Sequence, residues 1–146
     1  MKMDNDLLTQ ITEAFELHGS DANGYSPLTL AFIGDAVYGL VVKSVVVETA
    51  NCPANTLNAK SVRYVKASAQ AAIAKIISDS LTEEEANILR RGRNAKSPTM
   101  AKNATMADYR LATGLEALIG YLYLKGDTKR LIELMKQGMN GLNAES

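Results

Sequence analysis

The chain has 146 residues, with 16 Lys and Arg against 16 Asp and Glu and a formal net charge of zero. That length makes one ordinary domain around a single core, and the charge balance excludes a binder that relies on a uniformly basic surface; any polyanion site must be a local concentration of cations. The single cysteine, Cys52, excludes an internal disulfide and fits a reducing compartment.

Ala, Leu, Lys and Glu are plentiful and there are only three Pro, a composition that favours an all-α fold. The N-terminus, Met1 to Asp6, is acidic and lacks a signal-peptide pattern. No uninterrupted apolar run approaches bilayer length. The expectation is a cytoplasmic protein with no membrane partner.

Residues 4–18 read as an amphipathic helix through Leu7, Leu8, Ile11, Ala14, Phe15 and Leu17. His18, the only histidine, falls at its C-terminal end, where a cation is mildly favoured. Ser20 to Gly24 is a polar loop. Ser26-Pro27 is a helix start, with Ser as N-cap and Pro in the first helical position. The central helix then covers 27–49. It is apolar on nearly all sides and is expected to be the buried core helix.

Asn51 to Asn55 is a turn, with Cys52 beside it as a small structural residue. A third helix follows over 56–79, carrying Lys60, Arg63 and Lys66 on its early polar side. Thr82-Glu83-Glu84-Glu85 fits a capping box, so these acids read as helix-start residues rather than metal ligands. The fourth helix, 83–91, runs into a loop ending at Asn103. From Arg90 to Lys102 there are five cations (Arg90, Arg91, Arg93, Lys96 and Lys102) and no acid. A charge run can be a solvated surface or an RNA contact. Gly92, Asn94, Ser97, Thr99 and Asn103 add small groups and donors suited to phosphate oxygens and ribose hydroxyls.

A fifth helix covers 106–125 and a last amphipathic one 128–138. The expected layout is an N-terminal helix and polar loop packed on the domain (1–25), the helical domain proper (26–138) and a flexible tail (139–146).

Two acids stand in apolar helical runs. Asp35 lies in Leu30-Ala31-Phe32-Ile33-Gly34-Asp35-Ala36-Val37-Tyr38, and Glu116 between Leu115 and Ala117-Leu118. A buried, unpaired carboxylate costs several kcal/mol, so such groups are paired, protonated or bound to a metal. Gly34 costs its helix about 1 kcal/mol relative to Ala, and Ala112, Thr113 and Gly120 are small neighbours on the side of Glu116. Both features admit a close helix contact. Two desolvated carboxylates side by side need a proton or a cation between them. Mg²⁺, a hard ion content with one or two carboxylates and several waters, is the natural candidate. Ion pairs of these acids with Arg110 or Lys43 are the structural alternative.

Phe32-Ile33-Gly34-Asp35-Ala36-Val37 resembles the signature of the ribonuclease III endonuclease domain, and Glu116-Ala117-Leu118-Ile119-Gly120 resembles its second acidic motif. Arg91 to Ser97, Lys102-Asn103 and Tyr109-Arg110 make the likeness specific to the short mini-ribonuclease III branch, which has no double-stranded-RNA-binding domain. The resemblance covers about 26–136. It implies an all-α homodimer, with Phe32 at the dimer interface and Asp35 and Glu116 as catalytic Mg²⁺ ligands. The implied activity is hydrolysis of double-stranded precursor large-subunit ribosomal RNA, leaving 5′-phosphates and 3′-hydroxyls, with a ribosomal protein assisting. Lys60, Arg63, Lys66, Arg90, Arg91, Arg93, Asn94, Lys96, Ser97 and Lys102 would grip the duplex. Ala31 and Thr113 stand where full-length relatives carry acids, which reads as a feature of the mini branch. Leu115 replaces a common aromatic, and Gly39 a larger residue. The competing expectations are a non-catalytic RNA-binding scaffold on the same fold, associated with the ribosome, and a helical protein–protein adaptor.

Overall fold

The structure is a computed structural model that describes residues 6–95 and 105–145. The described residues form seven α-helices and no strand: α1 Leu7–Ala14, α2 Pro27–Thr49, α3 Ala54–Val65, α4 Ala67–Ile77, α5 Glu83–Asn94, α6 Met106–Lys125 and α7 Thr128–Ala144. The all-α expectation holds.

α2 starts and stops as its sequence dictates. Ser26 Oγ accepts from the Thr29 amide at 3.3 Å and Pro27 opens the helix. Its 23 residues have a stretch of mean hydropathy 1.9, enough by length and composition to cross a bilayer. Counting uninterrupted runs missed this because Asp35 and Lys43 break the run while its average stays high. In the fold, however, α2 lies along α6.

The helix that buries the most residues is α6, not α2. It packs against α2, α4, α5 and α7, and Leu115, Leu118, Ile119 and Leu122 are sealed from solvent. Around them gather Leu30, Val37 and Val42 of α2, Ile73 and Ile77 of α4, Ile88 of α5, and Leu131 and Leu134 of α7. α2 buries one side only and leaves Phe32, Leu40, Val45 and Val47 exposed.

The helix expected over 56–79 is two helices. Lys66 is extended (φ −66°, ψ 151°) and separates α3 from α4. One straight helix over 54–77 would run about 36 Å past a single neighbour. The break lets α3 pack on α2 while α4 turns onto α6 and α7.

Two helices outrun their expected ends for a shared reason. α5 continues to Asn94 and α7 to Ala144, although Gly92 and Gly138 read as stops. Those glycines face neighbours. A Cβ on Gly92 would come within 2.8 Å of Ala117 Cβ, and one on Gly138 would strike Ile73 Cγ2. α1, by contrast, is shorter than 4–18. Glu16 turns left-handed (φ 52°) and ends the run, so His18 lies exposed beyond the helix rather than at its last turn. No residue of α1 is buried.

Candidate active site

α2 and α6 cross backbone to backbone. A Cβ on Gly34 would lie inside the carbonyl oxygen of Glu116 and 2.9 Å from the Gly120 amide nitrogen. One on Gly120 would likewise strike the Leu30 carbonyl. This crossing carries Asp35, the next residue after Gly34, to Glu116, one turn before Gly120. The Asp35 carboxyl comes close enough to act on the protonation of Glu116.

Their surroundings differ. Glu116 is half-buried, whereas Asp35 is exposed, which corrects the expectation of two interior acids. Burial pushes the Glu116 carboxyl up to about 8, and the hydrogen bond and charge of Asp35 push the same way. The amide of Gln70 opposes them by favouring the ionised form. Tyr38, beneath the pair, donates to the Tyr64 carbonyl at 2.7 Å. Its burial, then the nearby Glu116 charge, hold its phenol well above the usual range.

Two contacting carboxyl groups keep a proton or take a cation. The ion pairs among the described residues are Lys125–Glu84, Arg130–Glu85 and Arg130–Glu133, and none involves Asp35 or Glu116. No cluster of three or more His, Cys, Asp and Glu side chains forms among the described residues. Two carboxylates and an otherwise aqueous shell are the donor set a hard divalent ion such as Mg²⁺ accepts. The wall beside Glu116 also holds an unpartnered buried acceptor, Gln70 Oε1. The residues therefore fit a hydrated divalent metal.

Exposed cations gather in two parts of the helices packed around α2 and α6. In one, Lys60, Arg63 and Lys66 are exposed on α3 and at its break from α4, and Lys66 precedes Gln70 by one turn. In the other, Gly92 packs against Thr113, Gly114 and Ala117, so the exposed Arg90, Arg91, Arg93 and Asn94 belong to the helix end beside Glu116. Arg90 Nη2 donates to Asn87 at 2.6 Å and Arg93 Nε to Asn94 at 3.3 Å. Lys96, Ser97 and Lys102 lie outside the described residues. Phe32 is 82% exposed.

Sequence reasoning missed Gln70. The signal was present: a lone amide in Ala67-Ser68-Ala69-Gln70-Ala71-Ala72-Ile73 is as odd as an acid in an apolar run. It also assigned Glu85 to the helix cap alone, whereas Glu85 closes the cap and binds Arg130 of α7 as well.

The model of the ribonuclease III domain matches residues 28–127, which include both acids, the crossing and the basic helix end. The chain belongs to the ribonuclease III domain family. A Mini-ribonuclease 3 of Thermoanaerobacter is 53% identical over 111 residues, covering 76% of this chain and 78% of that protein. Another, of Clostridium tetani, is 44% identical over 126 residues, covering 86% and 83%. A crystal structure of a Fusobacterium nucleatum protein superposes with a TM-score of 0.76 at 32% identity, covering 84% of this chain and 98% of that one. The chain is thus a ribonuclease III-type endoribonuclease, and the family's use of a divalent metal agrees with the donor set at Asp35 and Glu116.

Proposed function

We propose that this endoribonuclease cleaves double-stranded RNA in a Mg²⁺-dependent hydrolysis, works as a homodimer in the cytoplasm, and matures precursor large-subunit ribosomal RNA with a ribosomal protein assisting. The observation that carries the catalytic reading is the contact of Asp35 with Glu116 at the Gly34–Gly120 crossing. A purely architectural crossing gains nothing from two acids pressed together. The ribosomal substrate rests on likeness to the mini-ribonuclease branch.

Asp35 and Glu116 would hold the ion. Once bound, Mg²⁺ supplies a Lewis acid for a phosphoryl oxygen and lowers the pKa of a coordinated water. Glu116 must shed its proton to ligate, and the Gln70 amide favours that ionised state. Lys60, Arg63 and Lys66 from one group and Arg90, Arg91 and Arg93 from the other bind phosphates and set the duplex across the acids. A-form RNA suits such a grip, since its shape and 2′-hydroxyls are what a shallow minor groove offers. The products carry 5′-phosphates and 3′-hydroxyls. Phe32, too exposed for a lone protomer's core, seats the second copy.

The test is incubation of a structured ribosomal RNA precursor with Mg²⁺ and the parent protein, Asp35→Asn or Glu116→Gln. The parent cuts. Each variant loses about 10²-fold or more in rate, as loss of preorganised charge stabilisation does, and still binds the RNA. Binding without cutting by all three proteins would establish a scaffold instead.

A further inference from the structure

Gln70 is 4% exposed, in the first turn of α4. Its Nε2 donates to the Val65 carbonyl, left free at the α3–α4 break, at 2.9 Å. A carbonyl only accepts, so this bond fixes which end of the amide is nitrogen. The same amide lies against the Glu116 carboxyl. Its oxygen, Oε1, is buried and has no hydrogen-bond partner. A buried polar atom left without a partner costs about 1–3 kcal/mol. A Leu or Met would fill the same space without that orphan, though it would give up the bond to Val65.

Resting on the metal reading above, we infer that Gln70 is a positioning residue of the metal site: it ties Glu116 to the α3–α4 junction and offers Oε1 to a water of the hydrated divalent cation. The amide suits both tasks. Its N–H groups hold the junction and the carboxylate in place. Its oxygen meets a donor only when a hydrated ion brings one. Outer-shell partners of this kind orient a ligating side chain and strengthen binding of the ion. The metal-free protein then carries an unmet acceptor that binding satisfies.

The test compares the parent with Gln70→Leu and Gln70→Met, without RNA. Mn²⁺ affinity is read by electron paramagnetic resonance, and the melting temperature is read with and without the ion. Each variant removes the Oε1 orphan but leaves the Val65 carbonyl unpaired, so the melting temperature in chelator is expected to stay close to that of the parent. Mn²⁺ affinity is expected to fall about tenfold or more, and the metal-induced rise in melting temperature to shrink with it. A residue that merely held the α3–α4 break would lower the chelator melting temperature and leave Mn²⁺ affinity alone. Affinity within twofold of the parent in either folded variant overturns the role of Gln70. In the parent itself, the assigned Gln70 side-chain amide resonances must shift as Mg²⁺ saturates the site, and unmoved resonances overturn it equally, whether or not the variants fold. Asp35→Asn and Glu116→Gln are the controls. Parent-like Mn²⁺ affinity in both controls sinks the metal site itself, whereas loss in the controls alone sinks only the part given to Gln70.

Discussion

Gly34 of α2 and Gly120 of α6 face each other across a contact that leaves no room for a side chain on either. The obstacles are backbone atoms, the Glu116 carbonyl on one side and the Leu30 carbonyl on the other, and they cannot rotate away as a side-chain tip would. The spacing of the two helices, and with it the distance from Asp35 to Glu116, is therefore set by two missing methyl groups.

Gly34→Ala should destabilise the protein despite improving helix propensity. The propensity gain is about 1 kcal/mol, while overpacking costs about 1–3 kcal/mol and more against unyielding backbone. A net loss of about 2 kcal/mol lowers the melting temperature by roughly 4–8 °C in a domain of this size. Cleavage should fall further than stability, since the acids part as the helices do. Gly39→Ala is the internal comparison. Nothing lies within 4 Å of a Cβ there, so it should be neutral or stabilising by up to ~1 kcal/mol. Thermal melts of both variants, beside their cleavage rates, check this.

The crossing was legible in the sequence because it breaks local rules. A glycine and an acid have no local reason to interrupt Leu30 to Tyr38, and their oddity led to the pair at Asp35 and Glu116. What stayed hidden depends on which face of a helix finds a partner. Asp35 is exposed because α2 buries one side only, and an all-round apolar pattern cannot reveal that. Gly92 and Gly138 carry the residue type of a helix stop, yet a neighbouring helix makes them contact points. Lys66 breaks a helix without Pro or Gly, for packing reasons set by α6 and α7. Gln70 was overlooked because an uncharged amide in an alanine-rich run draws less notice than a carboxylate.

Stability should respond to pH through Glu116 in a direction opposite to most acids. Its folded pKa, about 8, lies above the ordinary value of 4.5, so the folded state binds the extra proton. The resulting stability is fully present below pH 4.5 and is lost as pH rises through 8. Metal-free protein should thus melt at a lower temperature at pH 9 than at pH 6, a slope that Glu116→Gln flattens. With Mg²⁺ the ionised form gains its ligand, and metal affinity should rise over the same interval. Melts across pH 5–9 in chelator and in Mg²⁺ give both signs.

The Glu85–Arg130 pair should be a stability determinant with no part in the chemistry. Glu85 Oε1 accepts from the Thr82 amide at 2.9 Å, closing the cap of α5. Arg130 reaches the same carboxylate through Nε at 2.9 Å and Nη2 at 2.8 Å, and Nη2 also donates to the Ser80 carbonyl at 2.7 Å. The guanidinium holds the Glu85 carboxyl below its usual range. That stability is present at neutral pH and is lost as pH falls through the lowered pKa. Arg130→Met should cost about 3 kcal/mol, the low end for a buried pair, because the Arg130 side chain keeps 20% exposure. Cleavage per folded molecule should stay at the parent level. Denaturant titration and a normalised cleavage assay separate the two effects.

Phe32 should decide the oligomeric state. It projects from α2 at 82% exposure, on the same helix as the exposed Leu40 and Val47. Fully burying such a side chain contributes about 1.5–3 kcal/mol, and a second copy offers the cover a single protomer lacks. Phe32→Glu should shift sedimentation from dimer to monomer while the helical circular dichroism persists. A parent protein that sediments as a monomer at micromolar concentration would remove the dimer from the proposed function.

RNA affinity should fall steeply with salt even though the chain carries no net charge. Each phosphate neutralised by Lys or Arg releases condensed counterions, and the logarithmic slope grows by nearly one per contact. Lys66 is exposed at the α3–α4 break, and Arg93 is exposed at the end of α5, where its backbone packs against Gly114 of α6. Replacing either with Gln should weaken binding to any duplex about equally and lower the slope by roughly one. The double replacement should lower it by roughly two, because the sites touch different phosphates. Lys129, on α7 away from both clusters, gives the control. Lys129→Gln should leave slope and affinity as they are. A salt titration of duplex binding in the Glu116→Gln background, where cutting cannot deplete the ligand, reads these slopes directly. An unchanged slope in Lys66→Gln and Arg93→Gln would place the duplex elsewhere on the molecule.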